Sequence, residues 1–209
     1  MSNKNQLPRT VWIVSGPSGS GKTSLCDAFL QDDFWSKRLM KSVSYTTRPM
    51  RPGEKEGKDY IHMTPQKFLS LKRAGAFLER EKIFGFDYGT PKKAIEDARR
   101  ADKDLLLCID VKGAKRVKKF FKKNAVSIFI LPPQLKALRG RLKKRLTESE
   151  KDIEKRLRRV KTELSYIKDY DYVVVNDDFN VALKKLKSIL TAKHCEGAYV
   201  LRSIGKTYR

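Results

Sequence analysis

The sequence has no apolar run as long as the roughly 18 residues that a membrane-spanning helix needs. Its N-terminus also lacks the apolar segment of a secretory signal peptide. Both absences argue against a membrane-spanning or secreted protein. We therefore expect a cytoplasmic protein with no membrane partner.

Cysteine and histidine are scarce. The three cysteines, Cys26, Cys108 and Cys195, are odd in number and widely spaced, which predicts neither a disulfide framework nor a zinc site. A reducing compartment suits such a chain. The two histidines, His62 and His194, lie outside any catalytic triad pattern, and we interpret both as structural or surface residues.

Acidic residues are few relative to basic ones. The chain has 47 Lys and Arg against 24 Asp and Glu, which gives a formal net charge of +23. Residues 112–161 alone contain 19 basic and 4 acidic side chains. This excess predicts a phosphate-bearing partner, whether a nucleotide, a nucleic acid or an anionic membrane, and does not choose among them.

Apolar runs alternate with helical segments along the 209 residues, a length that suits one well-packed domain. The apolar runs predict four strands, at 10–16, 104–110, 125–131 and 172–175. Helical segments follow them at 23–30, at 114–121, from 135, and at 181–190. The alternation predicts an α/β fold, a three-layer core whose parallel sheet is covered by helices on both faces.

Two segments interrupt this alternation and predict subdomains inserted into the core. Residues 42–92 are rich in turns and polar groups, with strand-like pieces at 60–63 and 76–83, and residues 138–160 are helical and very basic. The predicted core consists of residues 1–41, 93–137 and 161–195. Residues 196–209 are basic, have little periodicity and predict a loosely docked tail.

The first predicted strand leads into GPSGSGKT, which matches the phosphate-loop pattern G-x-x-x-x-G-K-[ST] without deviation. Glycines let the N–H groups of such a loop converge on a phosphate, and the following helix adds its dipole. The residues expected to bind a nucleoside triphosphate are Gly16, Pro17, Ser18, Gly19, Ser20, Gly21, Lys22 and Thr23. Lys22 would reach the β- and γ-phosphates, and the Thr23 hydroxyl would be a Mg²⁺ ligand.

Other P-loop classes are less well matched. The chain lacks the NKxD element with which switch GTPases read guanine. It also lacks the adjacent acids that end a strand in ATPase motors, because Val111 and Lys112 follow Asp110. The acceptor of the γ-phosphate must therefore be inferred from other segments.

Residues 42–60, SVSYTTRPMRPGEKEGKDY, place two arginines in a polar segment whose prolines and glycine prevent a regular helix. With five other segments it resembles the guanylate kinase family in order and spacing, over about residues 10–190. The other segments are GPSGSGKTS, FLEREKIFGFDYGTP, DVKGAKRVK, RLKKRLTESEKDIEKRL and YDYVVVNDD. The resemblance implies a P-loop nucleoside monophosphate kinase of one domain, with 42–92 as the GMP-binding insertion and 138–160 as a lid.

The resemblance also implies which residues meet GMP. The family counterparts of Arg48, Arg51, Tyr60 and Tyr88 hold the GMP phosphate, a role that suits guanidinium groups and hydroxyl donors. The counterparts of three further residues meet the guanine, namely Ser44, Glu79 and Thr90. A carboxylate suits guanine because the N1–H and N2–H of that base are adjacent donors.

Further positions are expected to support this site. Asp110 resembles a family carboxylate near the Mg²⁺ and the acceptor phosphate, and Glu54 and Asp59 are predicted to brace the loop. One position departs from the family, because Cys108 stands where many relatives carry an acid. We expect this exchange either to weaken guanine selectivity or to make it depend more on Glu79.

ATP and GMP together carry about six negative charges, so cations must close over the reaction. Arg141 and Arg145 are four apart and share one helix face, and with Arg156 they resemble the lid arginines that contact the phosphates. The residues expected to act in catalysis are Lys22, Arg51, Arg141, Arg145 and Arg156. No general base is evident, and none is required, because the acceptor oxygen is already anionic.

The expected reaction is Mg²⁺-dependent phosphorylation of GMP, and also of dGMP, by ATP, in the recycling of purine nucleotides. Asn176 and Asp177 resemble the family segment that passes near the adenine of ATP. We expect nucleotides as the partners, no specific nucleic acid, and a monomer or a homodimer.

Three alternatives stay open at this point. The chain could be a P-loop kinase of another phosphorylated acceptor. It could be a scaffold that binds phosphorylated peptides, although such relatives usually have a degraded phosphate loop and here Lys22 and Thr23 are present. It could also bind nucleic acid, but the basic stretch lacks interleaved aromatic residues, which predicts only weak, salt-sensitive association.

Overall fold

Five parallel strands form the main sheet. The computed structural model describes residues 10–133, 138 and 150–204. With strands numbered along the chain, this sheet contains β1 (Val11–Ser15), β2 (Leu39–Lys41), β7 (Asp104–Cys108), β8 (Ala125–Leu131) and β9 (Tyr172–Val175), in the order β2-β7-β1-β8-β9. The predicted α/β fold with a parallel sheet is confirmed. The short edge strand β2, which pairs in parallel with β7, was not predicted.

The burial of these strands follows their position in the sheet. All residues of β1 are buried, as are the first six residues of β8 and the first four of β7. This explains the unbroken apolar runs in the sequence, because a central parallel strand has both faces covered. The edge strand β9 differs, since Tyr172, Val173 and Val175 are exposed and only Val174 is buried.

A second sheet lies within the polar segment that follows β2. It contains β3 (Ser44–Thr46), β4 (Tyr60–His62), β5 (Phe77–Ile83) and β6 (Phe86–Pro91), in the order β4-β3-β6-β5. β3 pairs with β4 in parallel, whereas β6 pairs antiparallel with both β3 and β5. A two-residue turn joins β5 to β6, and Phe84 and Gly85 both have positive φ, at 50° and 87°, as a type I′ hairpin turn requires.

Four of the described helices begin at a capping side chain. The described helices are α1 (Lys22–Leu30), α2 (Asp33–Ser36), α3 (Pro65–Arg73), α4 (Lys93–Arg100), α5 (Val111–Phe121), α6 (Glu150–Leu164), α7 (Phe179–His194) and α8 (Gly197–Ile204), with 3₁₀ turns at Lys122–Asn124 and Ile167–Asp169. Asp32, Thr64, Asp110 and Asp178 accept backbone hydrogen bonds at the starts of α2, α3, α5 and α7. Within the described ranges, no helix has the length and apolar character of a transmembrane segment.

The described residues divide into two compact units. The first unit comprises the described residues of 1–13 and 38–126. Its interior contains Asp104, which is 1% exposed and accepts hydrogen bonds from the Thr10 backbone N–H at 3.0 Å and from Trp12 Nε1 at 2.9 Å. Both carboxylate oxygens thus have a donor, which offsets part of the cost of burying this group.

The second unit comprises the described residues of 14–37 and 127–209. An aromatic cluster attaches α8 to it, because the His194 ring lies 5.1 Å from the Trp35 ring and stacks on Tyr199 at 4.3 Å. Tyr199 is buried. The sequence predicted a loosely docked tail from residue 196, whereas residues 197–204 form a helix with a buried aromatic anchor.

Candidate active site

The phosphate loop connects β1 to α1 in the second unit. Gly16 and Gly21 have φ values of 143° and 90°, in the region that favours glycine. Space is also restricted at both positions. A Cβ on Gly16 would lie 2.3 Å from the Ile130 carbonyl oxygen, and one on Gly21 would lie 2.2 Å from the Asn176 amide nitrogen. The loop therefore tolerates only glycine at these two positions.

Lys22 and Thr23 occupy the first turn of α1, and the helix has no side-chain cap at its N-terminus. Lys22 Nζ donates to the Pro17 carbonyl at 3.2 Å, so the lysine lies over the loop. Thr23 is exposed. Anions are stabilised at such a helix end, because its first N–H groups have no partner within the helix.

Asn176 follows β9 and contacts the phosphate loop directly. Its buried side-chain amide donates to the Ser20 carbonyl at 2.7 Å. Asp177 is exposed, and the next residue, Asp178, caps α7 by accepting from the Val181 N–H at 2.8 Å. Within this unit, the structure thus joins Asn176 to the loop that the sequence predicted as the triphosphate site.

The residues present fit a magnesium ion that arrives with a nucleotide. Within the described part of the chain, no group of three or more His, Cys, Asp or Glu side chains could hold a metal by itself. Mg²⁺ in kinases keeps water and phosphate ligands and takes only one or two from the protein. The exposed Thr23 hydroxyl, in the first turn after the loop, would supply such an oxygen.

Arg48 is the centre of the candidate acceptor-phosphate site, in the first unit. The residue is buried, and its guanidinium donates from Nε to the Tyr88 hydroxyl at 3.1 Å, from Nη1 to the Pro49 carbonyl at 2.6 Å and from Nη2 to Glu54 Oε1 at 2.6 Å. Its Cζ lies 5.4 Å from the centre of the Tyr60 ring. These bonds use three of the five N–H donors of the guanidinium.

Glu54 joins the two arginines of the segment. Its Oε1 accepts from Arg48, and its Oε2 accepts from the Arg51 backbone N–H at 2.9 Å. His62 Nε2 lies 3.5 Å from the same Oε2, while His62 Nδ1 lies 2.6 Å from Glu56. The brace that the sequence predicted at Glu54 is present, and the second predicted brace, Asp59, accepts from the Lys55 backbone N–H at 2.8 Å.

Tyr60 and Tyr88 add two phenol groups beside Arg48. Their ring centres are 5.8 Å apart, and Tyr60 is paired with Ser44 in the register of β3 and β4. Burial raises the pKa of Tyr60 well above its ordinary value. The phenol therefore remains protonated at neutral pH and can act as a hydrogen-bond donor.

Glu79 is a buried carboxyl group on β5. The Thr90 hydroxyl donates to its Oε1 at 2.6 Å, and no hydrogen-bond donor among the described residues reaches its Oε2. Burial, together with the negative charge of nearby Asp110, raises the pKa of Glu79 to about 7. The hydrogen bond from Thr90 and the positive charge of nearby Arg116 lower the pKa and so oppose this effect. The group therefore changes its ionisation near neutral pH, which is unusual for a glutamate.

Asp110 has a structural role in addition to its predicted one. It stands just before α5, and its Oδ1 accepts from the backbone N–H groups of Lys112 at 2.7 Å and Gly113 at 3.1 Å. Gly113, which the sequence did not single out, lies against Glu79, since a Cβ there would be 2.6 Å from Glu79 Oε2. The absence of a side chain at Gly113 leaves room for the carboxylate.

Arg116 is a second residue that sequence reasoning missed. Its Nη2 lies 3.6 Å from Glu79 Oε2 and donates to Glu81 Oε2 at 2.7 Å and to the Arg80 carbonyl at 2.6 Å. Arg116 and Glu81 are 35 positions apart, so no local pattern indicates the contact.

The predicted residues separate cleanly between the units. All of the predicted GMP-binding residues lie in the first unit, namely Ser44, Arg48, Arg51, Tyr60, Glu79, Tyr88, Thr90 and Asp110. The predicted ATP-binding residues, 16–23 with Asn176 and Asp177, lie in the second. Arg141 and Arg145 lie outside the described residues, and so does the side chain of Arg156, whose backbone is part of α6.

Comparisons with known proteins agree with one another. The family model described as guanylate kinase matches residues 8–193. A guanylate kinase of Hahella chejuensis is 44% identical over 183 residues, 88% of this chain and 86% of the relative. One of Polaromonas sp. is 39% identical over 202 residues, 97% of this chain and 96% of the relative.

A solved structure extends the similarity to three dimensions. The crystal structure of guanylate kinase from Anaplasma phagocytophilum superimposes with a TM-score of 0.75 and 32% sequence identity, covering 95% of this chain and 94% of that one. The match spans nearly the full length of both chains, and the family model covers the phosphate loop, the Arg48 segment and Glu79 together. The chain belongs to the guanylate kinase family.

Proposed function

We propose that the chain transfers the γ-phosphoryl group of ATP to GMP, and also to dGMP, with Mg²⁺ bound to the ATP phosphates. The products are ADP and GDP or dGDP. Membership of the guanylate kinase family supports the ATP-dependent phosphorylation of GMP. The roles of individual residues, given below, are argued from the contacts within each unit.

Arg48 and Arg51 bind the phosphate of GMP, and Tyr60 and Tyr88 donate hydroxyl hydrogen bonds to it. Support comes from the arrangement of Arg48, whose guanidinium is fixed by Tyr88, Pro49 and Glu54 yet retains two N–H donors. A guanidinium held in place loses little side-chain entropy on binding, so its two remaining donors can grip a phosphate at low cost.

Glu79 reads the guanine base, with Thr90 and Ser44 beside it. The observation that carries the guanine assignment is the buried Glu79 carboxyl, with one oxygen bonded to Thr90 and the other with no donor among the described residues. A buried carboxylate oxygen without a donor is costly and favours a ligand that brings N–H groups. Guanine offers N1–H and N2–H side by side, whereas adenine offers no such pair.

The loop of residues 16–23 binds the ATP phosphates. Lys22 leaves the Pro17 carbonyl to contact the β- and γ-phosphates, and the Thr23 hydroxyl would hold the magnesium ion. Asn176 keeps the loop in shape through its bond to Ser20, and Asp177 lies toward the adenine. When bound, the magnesium ion neutralises part of the phosphate charge.

The transfer proceeds in line and needs no general base, because the attacking phosphate oxygen of GMP is already an anion. Positioning and charge neutralisation then provide the rate. Arg51 and Lys22 act in this neutralisation, and Arg141, Arg145 and Arg156 join them from the lid. Asp110 lies near the acceptor phosphate. We place the reaction in the cytoplasm, in purine nucleotide recycling, with a monomer or homodimer as the active form.

The decisive experiment measures ADP formation from ATP and Mg²⁺ with each of GMP, dGMP, AMP, UMP and CMP. We expect ADP release only with GMP and dGMP. Arg51→Ala should remove most of that rate, while Arg99→Ala serves as the matched control, because Arg99 is bonded to Glu96 on its own helix. Equal or faster turnover with AMP, UMP or CMP would contradict the assignment of guanine.

A further inference from the structure

Arg116 lies on α5 with its guanidinium nearly within bonding distance of Glu79. The 3.6 Å between its Nη2 and Glu79 Oε2 is too long for a hydrogen bond. The two shorter bonds of the same nitrogen, to Glu81 and to the Arg80 carbonyl, fix the guanidinium at this distance. Arg116 therefore acts on Glu79 through charge, and it leaves the second carboxylate oxygen without a hydrogen bond from the protein.

Among the described residues, charged groups of both signs lie near the Glu79 carboxyl. Asp110, at the start of α5, raises the pKa of Glu79, while Arg116 lowers it. Glu81, two residues along β5, is paired with Arg116 and lies 3.9 Å from Lys112 Nζ. From β6, the neighbour is the uncharged Thr90. Arg116 is thus a cation that contacts this carboxyl directly, although the exposure of nearly half of its side chain weakens the effect through solvent screening.

The ionisation of Glu79 decides what the group can bind. As a carboxylate it accepts two hydrogen bonds and matches the adjacent N1–H and N2–H of guanine. As a neutral acid it carries a hydroxyl donor, which faces another donor on the base and loses one of the two bonds. Because the pKa of Glu79 is about 7, both forms are populated at neutral pH.

We propose that Arg116 is a positioning residue for guanine recognition, which favours the carboxylate form of Glu79 while leaving one of its oxygens open to the base. The Arg116–Glu81 ion pair sets how strongly the guanidinium acts, because the two carboxylates share one nitrogen of the arginine. This inference rests on the proposed function, in which Glu79 reads guanine.

The test uses two variants that are expected to act in opposite directions. Arg116→Met keeps much of the side-chain volume but removes the charge, so Glu79 should ionise only at higher pH. Glu81→Gln removes the competing carboxylate and releases Arg116 toward Glu79, so Glu79 should ionise at lower pH. Arg99→Met is the matched control, since it removes another partly buried, ion-paired arginine.

The readout is the KM for GMP between pH 6 and pH 9, with the KM for ATP measured in parallel. A pKa that rises by one unit costs up to ~10-fold in the ionised fraction. We therefore expect Arg116→Met to raise the KM for GMP by ~5- to 10-fold near pH 6.5 and to approach wild type by about pH 9. The phosphate of GMP titrates near pH 6 in every variant, so it cancels in the ratio to wild type.

The outcomes distinguish the inference from the function beneath it. If wild type is selective for GMP but Arg116→Met and Glu81→Gln both follow its pH profile, the role of Arg116 is refuted while the function stands. If wild type shows no preference for GMP, the proposed function fails first. Should Arg116→Met not fold, as judged by thermal unfolding, Glu81→Gln decides alone, and a profile displaced to lower pH supports the inference.

Discussion

Replacing Glu79 by glutamine tests the physical basis of the candidate guanine site without any substrate. Glutamine has the same shape as glutamate and can still accept the Thr90 hydroxyl hydrogen bond, but it never ionises. The variant therefore removes the titration of this group, and with it the pH-dependent cost of placing a charge at this buried position. The expected effect is a change in stability that depends on pH.

The sign follows from comparing the folded and unfolded states. The pKa of Glu79 is about 7 in the folded chain and 4.5 when the group is unperturbed. Below the lower value both states are protonated and the carboxyl costs nothing. As the pH rises from 4.5 to 7, the unfolded chain releases its proton while the buried group in the folded chain keeps it, so the free energy of unfolding falls, and the fall ends once the folded group has also ionised. At about 1.4 kcal/mol for each pKa unit, the full loss over the roughly 2.5 units between the two values is about 3.5 kcal/mol, most of which falls between pH 5 and pH 8.5.

Urea unfolding followed by tryptophan fluorescence at pH 5 and pH 8.5 measures this effect. From pH 5 to pH 8.5, we expect the free energy of unfolding of Glu79→Gln to rise relative to that of wild type by about 2 to 3 kcal/mol. Because all other titrating groups are common to both chains, they cancel in the comparison. Glu96→Gln, at an exposed carboxylate, should show no such gain. Parallel stability curves for wild type and Glu79→Gln, within about 0.5 kcal/mol, would refute the reasoning.

Two glycine substitutions extend the test to each unit. Gly113→Ala places a Cβ 2.6 Å from Glu79 Oε2. This crowding should raise the KM for GMP by ~10- to 100-fold, which corresponds to the loss of about one or two charge-assisted hydrogen bonds. The helix propensity of alanine offsets part of the cost of this close contact in the folded chain, and an unchanged KM would show that the carboxylate does not need this space. Gly21→Ala forces a residue with φ of 90° to accept a Cβ beside the Asn176 amide, so it should weaken ATP binding by at least ~10-fold in a fluorescent-nucleotide titration, while retained affinity would count against the loop geometry.

Much of the fold could be predicted from local sequence patterns. Strands β1 and β8 were predicted to within two residues, because a long apolar run next to a glycine cluster or a proline pair has one simple explanation, and β9 was predicted from its short apolar run YVVV. The helix after the phosphate loop begins at Lys22, one residue before its predicted start. Capping side chains such as Asp178 mark helix starts in the same local way.

Shorter elements carry too little pattern to be predicted. β2 and β3 have three residues each, and a run of three cannot show alternation between two faces. The helices α3 and α4 were missed because their charged residues outnumber the few buried ones, such as Phe68 and Ala98. The turn of the β5–β6 hairpin could not be predicted from the sequence, because Phe84 adopts a positive φ that is uncommon for an aromatic residue.

The residues of the candidate site also differ in whether a short sequence motif or only the tertiary structure identifies them. The phosphate loop and the two arginines at positions 48 and 51 lie within short motifs, and a motif can be recognised from sequence. Glu79, by contrast, stands in the sequence as one charge among several in EREK, and only the tertiary structure gives it a buried position beside Thr90 and Gly113.

The substitution at position 108 takes on a more definite meaning once Glu79 is placed. A second acid in that position would share the reading of guanine and would also add negative charge near the acceptor site. Cys108 is half-buried at the end of β7 and offers only a weak acceptor. In the proposed site, guanine recognition then rests on the Glu79 carboxyl, whose pKa is about 7. A lone carboxylate that titrates at neutral pH gains most from a neighbouring cation, which gives Arg116 its importance here.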